Sequence, residues 1–313
     1  MSRYVKLGAE NATYGSGTPA TATAGVLVTS VGDPVDRAPI VEECISGYIA
    51  NSAYGGALRL KGNLEGSLRP MQMLPIFKAL FGSSGGVAPN TELTLGLPTA
   101  LVMELGEQVG SATSMETKYK GVGISSCTLE FNPKEIVKAR FDWVAKNFVN
   151  GSYSAPVSYT TEDPVVFYNA VISIGGSPTS TVKSASLTID RKLDEEQYTL
   201  GEFDLQRLTI NGMTDITGEL TFSEMEYTEY KKAMTGDAAQ TTIAENNPLG
   251  TVAMTITCTD MSNPGQTALV IAMPITVYTD TDRTIQGMNE IEKKVKFKVV
   301  GSGFKFTITD LSA

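Results

Sequence analysis

The chain has 313 residues, 42% of them hydrophobic, and a net charge of −9. That is enough to bury a core in one large β domain or in two domains of about 150 residues each, and the acidic balance excludes tight nucleic-acid binding, which relies on counterion release by clustered cations. There is no histidine, which removes the commonest general base and the commonest metal ligand. Cys44, Cys127 and Cys258 are far apart and lack C-x-x-C spacing. They read as core thiols made in a reducing compartment, not as a disulfide framework or a zinc site. The opening MSRYVKLGAE lacks an apolar signal stretch and no run is long enough to span a membrane, so synthesis in a cytoplasm is expected.

Residues 11–25, NATYGSGTPATATAG, predict an extended loop or an arm that orders against a neighbouring subunit. Residues 64–82, LEGSLRPMQMLPIFKALFG, read as a strand end followed by a helix at about 70–81. Pro70 suits the first turn, Phe77, Leu80 and Phe81 supply the core face, and Pro75 blurs the start. Cys127, Leu129 and Phe131 alternate with polar residues, Asn132-Pro133-Lys134 turns, and Val137, Ala139, Phe141 and Trp143 alternate again, which predicts a hairpin. Residues 148–164 are rich in Ser, Thr and Pro and mark a candidate boundary.

Further strands are expected at Leu187/Ile189, at Phe203/Leu205 and at Val252 to Cys258. A helix is expected over 223–235. Ser223 and Glu226 read as its capping box, Tyr227, Tyr230 and Met234 as one face, and Gly236 as its left-handed end. Val295, Phe297 and Val299 alternate with Lys294, Lys296 and Lys298, and Phe304, Phe306 and Ile308 follow a Gly-Ser-Gly turn. These predict a second hairpin.

The order strand, Gly-x-Leu, helix, glycine, polar loop, long hairpin therefore occurs twice. Gly66 and Leu68 match Gly218 and Leu220, Gly82 matches Gly236, and the loops 83–90 and 237–248 correspond. Internal repeats dominate any fold assignment. The expected fold class is mainly β, with duplicated barrel- or sandwich-like units at residues 1–150 and 151–313, each with one short flanking helix. A duplicated small β unit fits a chain that tiles better than one that catalyses.

Several segments carry part of a chemical motif without the rest of its pattern. Asp194-Glu195-Glu196 reads as a solvated turn. Asp280 and Asp282 lack the remaining ligands of a calcium loop, and Gly121-x-Gly123 lacks the lysine and helix of a phosphate loop. No serine has a histidine partner for a triad. The stripe Lys294, Lys296 and Lys298 lacks interleaved aromatics or arginines and reads as a solvated or subunit-facing stripe. No catalytic, metal-binding or cofactor-binding residue is assigned.

The opening AENATYGSGTPA, followed by the apolar Gly25-Val26-Leu27-Val28, and the segment GNLEGSLRPMQMLPIFKALFG resemble elements of the tail tube proteins of head-tailed bacterial or archaeal viruses. The resemblance implies a structural virion protein, not an enzyme. It implies stacked rings, built in the host cytoplasm, that form a hollow tail through which DNA passes without specific binding. Strands from adjacent subunits would line an inner barrel, with the helix outside. The implied partners are further copies of the chain and the tape measure, terminator and baseplate proteins, with no membrane and no cofactor. Duplication favours three chains per ring, with six as the alternative. An acidic lumen would repel DNA weakly. A baseplate or terminator ring protein and a β-sandwich adhesin remain alternatives.

Two loops, 47–62 and 191–202, occupy equivalent places in the two halves. Tyr54, Leu58, Leu193 and Tyr198 are candidate apolar anchors for the next ring, with Glu195 and Glu196 as charged contacts. The alternative is a plain hairpin tip.

Overall fold

Alternating sequence patterns along the chain become antiparallel strands in the computed structural model. It describes all residues except 1, 12, 19–23, 38–39, 43–51, 110–112, 152–158, 160–161, 224–226, 244–249, 262, 264, 285–290 and 311–313. The first half carries β1 (Ser2–Ala9), β2 (Ala24–Val26), β3 (Ser30–Gly32), β4 (Val35–Asp36), β5 (Ile40–Glu42), β6 (Ser52–Tyr54), β7 (Arg59–Ser67), α1 (Leu74–Phe81), β8 (Gly82–Gly85), β9 (Asn90–Leu95), β10 (Leu101–Val109), β11 (Thr113–Phe131), β12 (Lys138–Ala145) and β13 (Asn147–Gly151). The second half carries β14 (Ala170–Ile174), β15 (Ser177–Thr179), β16 (Val182–Asp190), β17 (Asp215–Phe222), α2 (Thr228–Thr235), β18 (Thr251–Thr259), β19 (Thr267–Thr284), β20 (Glu292–Val299) and β21 (Lys305–Thr309).

The pairing order of the first half recurs in the second. β7 pairs with β12, β12 with β11, β11 with β10 and β13, and β10 with β1. In the same way β17 pairs with β20, β20 with β19, β19 with β18 and β21, and β18 with β14. β3 and β4 flank β7 as β16 flanks β17. The bulges recur too. β11 shifts register between Ile124 and Ser126, and β19 shifts between Tyr278 and Asp280, 154 positions later. The long strands β11 and β19 each change partner midway, and such bends fall at bulges.

The halves join edge to edge, where β11 pairs with β16. One continuous run of neighbours results: β3/β4, β7, β12, β11, β16, β17, β20, β19. A second crossing pairs β9 with β21. A large apolar cluster spans both halves and includes Leu64, Phe77, Phe141 and Trp143 with Leu187, Leu220, Phe297 and Phe306. Cys127 and Cys258 are buried free thiols, and burial pushes the Cys258 thiol up to about 12. Cys44 lies outside the described residues.

Helix α1 runs from Leu74 with Pro75 in its first turn, later than the sequence places it. Phe77, Leu80 and Phe81 are buried as expected. Gly82 and Gly236 both close their helices in the left-handed conformation, and their N–H groups donate to Lys78 O and Lys232 O. A Cβ is disfavoured there, and glycine is the usual solution.

Several sequence expectations give way. β21 does not form a hairpin with β20: both edges of β20 are taken, by β17 and β19, and β21 pairs with β19 and β9. The expected capping box does not start α2. The helix begins at Thr228 behind Tyr227, which makes no side-chain cap bond, and Ser223 instead extends the β17 ladder, its N–H donating to Thr181 O at 2.8 Å. The glycine that matches Gly218 is Gly62, not Gly66. Gly62 pairs with Trp143 and Gly218 with Phe297, and a Cβ on either would strike that ring, at 2.7 Å and 2.3 Å. Residues 83–85 belong to strand β8, not a loop. Phe203 and Leu205 lie in a loop, where Leu205 is buried and Phe203 exposed.

The described part of residues 11–25 folds on its own chain. The Glu10 carboxylate accepts from the N–H groups of Gly15, Gly17 and Gly121 at 2.9–3.1 Å, and β2 pairs with β1.

Candidate functional site

The continuous sheet has one apolar and one polar face, because side chains alternate along a strand. Phe141, Leu129, Leu187, Leu220, Val295 and Phe297 point to the core. α1 lies on that side, with Phe77 5.4 Å from Phe141, ring to ring. The opposite face, turned away from α1, carries hydroxyls in its middle and charges around them. Thr128 and Thr188 hydroxyls lie 3.2 Å apart across the β11–β16 joint, and Ser126 donates to Asp142 at 2.7 Å.

Every lysine of the β20 stripe is matched by a carboxylate on an adjacent strand of the same chain. Lys294 meets Glu219 at 3.7 Å, Lys296 meets Asp280 at 3.0 Å and Lys298 meets Asp215 at 2.8 Å. The hydrogen bond from Lys296 holds the Asp280 carboxyl below the usual aspartate range, and Asp280 in turn raises Lys296. The face is thus charge-paired, not lined mainly by carboxylates. Among the described residues no group of three or more His, Cys, Asp or Glu side chains is placed to hold a metal.

The two equivalent loops meet each other at one end of this face, although residues 59–62 of the first belong to strand β7. Leu58 N–H donates to Phe203 O at 2.7 Å, and the Tyr198 hydroxyl donates to Leu58 O at 3.0 Å. Lys61 pairs with Glu195 and Arg59 with Glu196, each at 3.3 Å. Leu58 is buried, and Leu193 is buried against Val144 and Leu205. Leu58, Leu193, Glu195, Glu196 and Tyr198 therefore make contacts within the chain that fix the loop pair, while Tyr54, on β6, is 61% exposed. Leu200, Phe203 and Met213 are also exposed. They lie outside any periodic pattern, so only the apolar residue type in a polar stretch signals them.

The continuous run from β3/β4 to β19 ends in two edges. Among the described residues β3 and β4 pair only with β7, and β19 beyond Tyr278 pairs only with β20. A family model described as phage tail tube protein matches residues 4–299. The chain belongs to the phage tail tube protein family. No curated protein matches it in a direct search. Membership makes it a structural component of a viral tail, and the repeated sheet with two unpaired edges is the part of this tail tube chain suited to joining further copies.

Proposed function

We propose that the chain assembles into stacked rings that form the hollow tail tube, through which viral DNA passes into the host. The observation that carries this reading is the repeated four-strand order, joined edge to edge at β11–β16. One chain then holds two neighbouring segments of a ring wall, residues 1–150 and 151–313, with an open edge at each end. Unpaired sheet edges expose N–H and C=O groups, and closing a ring removes them. Three chains would complete a pseudo-six-fold ring, and six would require one half to stand outside it.

The polar face would line the bore, with the helices outside. Its paired charges and hydroxyls suit passage of DNA, since each lysine already neutralised by a carboxylate releases few phosphate counterions. The paired loops would touch the next ring through Tyr54 with Leu200 and Phe203, while Leu58, Leu193, Glu195, Glu196 and Tyr198 hold the loops in shape. Stacking of this head-to-tail kind propagates without closing. Partners at the tube's ends and inside it would be the tape measure, terminator and baseplate proteins.

Electron microscopy of the purified protein tests the reading. Hollow filaments wide enough for duplex DNA are the expected result. Isolated rings that never stack would point to a terminator or baseplate role instead, and a monomer at every concentration would contradict self-assembly.

A further inference from the structure

The joint inside the chain has a defined register. At β11–β16 the partners are Ser126↔Asp190, Cys127↔Ile189, Thr128↔Thr188, Leu129↔Leu187 and Glu130↔Ser186. The repeat relates β11 to β19, and β3/β4 to β16, by the same 154 positions that separate Gly82 from Gly236. The pairings agree: Val35 faces Leu60 on β7 as Ile189 faces Ile216 on β17, and Asp36 faces Arg59 as Asp190 faces Asp215. We infer that β19 of one copy pairs antiparallel with β3–β4 of the next, in the register Asp280↔Asp36, Thr281↔Val35, Asp282↔Pro34, Arg283↔Asp33 and Thr284↔Gly32. This rests on the ring reading above and adds to it the two edges and their alignment.

Four features of the chain fit that register. Val35 is 45% exposed, whereas its counterpart Ile189, covered by β11, is 0% exposed. An apolar residue left open at an edge is what a missing strand would cover. Pro34 has no N–H to give. In the internal joint Arg191 N–H donates to Ser125 O at 2.8 Å, and the antiparallel alternation then turns the N–H of Thr188, the counterpart of Pro34, away from β11. Pro34 therefore costs no bond to an incoming strand. The bond it removes faces β7, where the pairing is interrupted between Gly32 and Val35.

The third feature is charge. Where the internal joint sets Leu129 against Leu187, both fully buried, the register sets Arg283 against Asp33. Both are exposed, Arg283 has no ion-pair partner among the described residues, and Asp33 is held by the Tyr119 hydroxyl at 3.0 Å. Opposite charges directly across a ladder favour one partner and one register. The register also places Asp36 opposite Asp280, a like-charge pair that Lys296 offsets from 3.0 Å. The fourth is space. Beside Ser30, Val31 and Leu27 lies a cavity of about 510 Å³. In the second half the place beside Ala185, the counterpart of Val31, is taken by Phe131 of β11, which pairs with Ala185 and is 5% exposed.

Cysteine cross-linking reads the register directly. Pro34 and Asp282 fall at a pair without mutual hydrogen bonds, where Cα atoms lie about 4.5 Å apart, within disulfide range. The double variant Pro34→Cys/Asp282→Cys, oxidised after assembly, should give a covalent ladder that ends at the copy number of the closed ring and survives dilution. The pair Pro34→Cys/Asp280→Cys, two positions out of register, should link at least about tenfold more slowly, because its Cα atoms are too far apart for a disulfide. Rings or filaments that form without in-register links, or that link equally well out of register, would overturn the edges proposed here and leave the tube reading intact. An unsubstituted chain that never forms rings would overturn both.

A charge exchange covers the case in which the cysteine variants fail to fold. Arg283→Glu, with an unchanged monomer melting temperature, should weaken assembly about tenfold or more, and Asp33→Lys in the same chain should restore it. Assembly indifferent to Arg283→Glu would count against the register.

Discussion

Helices α1 and α2 occupy the same place in the two halves, are both eight residues long, and end on the same glycine cap. Their surroundings differ. α1 buries Ile76, Phe77, Ala79, Leu80 and Phe81, and its phenylalanines stack on Phe141, Phe304 and Phe306 at 4.8–6.0 Å between rings. α2 buries no residue. It rests on the core through half-buried Tyr230 and Ala233 and is tied down further by polar contacts: the Tyr278 hydroxyl donates to Glu229 at 2.7 Å, and buried Lys293 sits 3.5 Å from the Tyr227 ring centroid. One helix is a piece of the core, and the other is a cover held at a few points. A repeated topology therefore does not repeat its energetics.

The two helices differ most in energy at Phe77. Phe77→Ala leaves a cavity in the core and should cost about 3–5 kcal/mol, read as a lower denaturant midpoint. Next come the cap glycines. Gly82→Ala would place a Cβ 1.7 Å from Leu97 O at a φ of +76°, and should cost more than the left-handed backbone penalty of about 1–2 kcal/mol that Gly236→Ala, at a φ of +85°, also meets. Equal losses in thermal melts would mean that the two caps are equally crowded. Tyr278→Phe removes a hydrogen bond to a carboxylate, of the order of 1.5–3 kcal/mol, and hydrogen exchange should show that loss concentrated in α2.

A smaller effect follows acid. Because the folded state lowers Asp280, its stabilising pairing with Lys296 is present above the ordinary aspartate value and is lost as pH falls through the lowered one. Lys296 is raised, so its share is complete below the ordinary lysine value and is lost only as pH rises through the raised one. The melting difference between the parent chain and Asp280→Asn should be flat near neutrality and vanish in acid. A difference that persists in strong acid would rule out this pair as its source. Smallest of all is Met234→Ala: at 49% exposure it should move monomer stability by less than about 0.5 kcal/mol.

Period-two patterning made the β11–β12 hairpin legible, since Leu129↔Ala139 and Cys127↔Phe141 face each other as the alternation requires. It also showed which face of β20 is buried. It did not show what β21 pairs with, because partner choice depends on which edges other strands have already taken. The repeat was legible from the cap glycines, but its strand register was not: Gly66 and Gly62 both precede a leucine by two, and only the opposing ring of Trp143 distinguishes them. At the candidate site, residue type marked the loops as places where apolar and charged groups gather. Residue type offered no means of seeing that the second loop binds the end of the first and the start of β7, as Tyr198 with Leu58 and Glu195 with Lys61 do.

A helical reconstruction of the assembled protein, tracing strand order around the bore, shows directly whether the β11–β16 joint inside the chain is repeated between chains. The expected result is β19 of one copy beside β3–β4 of the next, the polar face inward, and three chains in each ring. A bore lined by strands from only one half, with six chains in each ring, would contradict it.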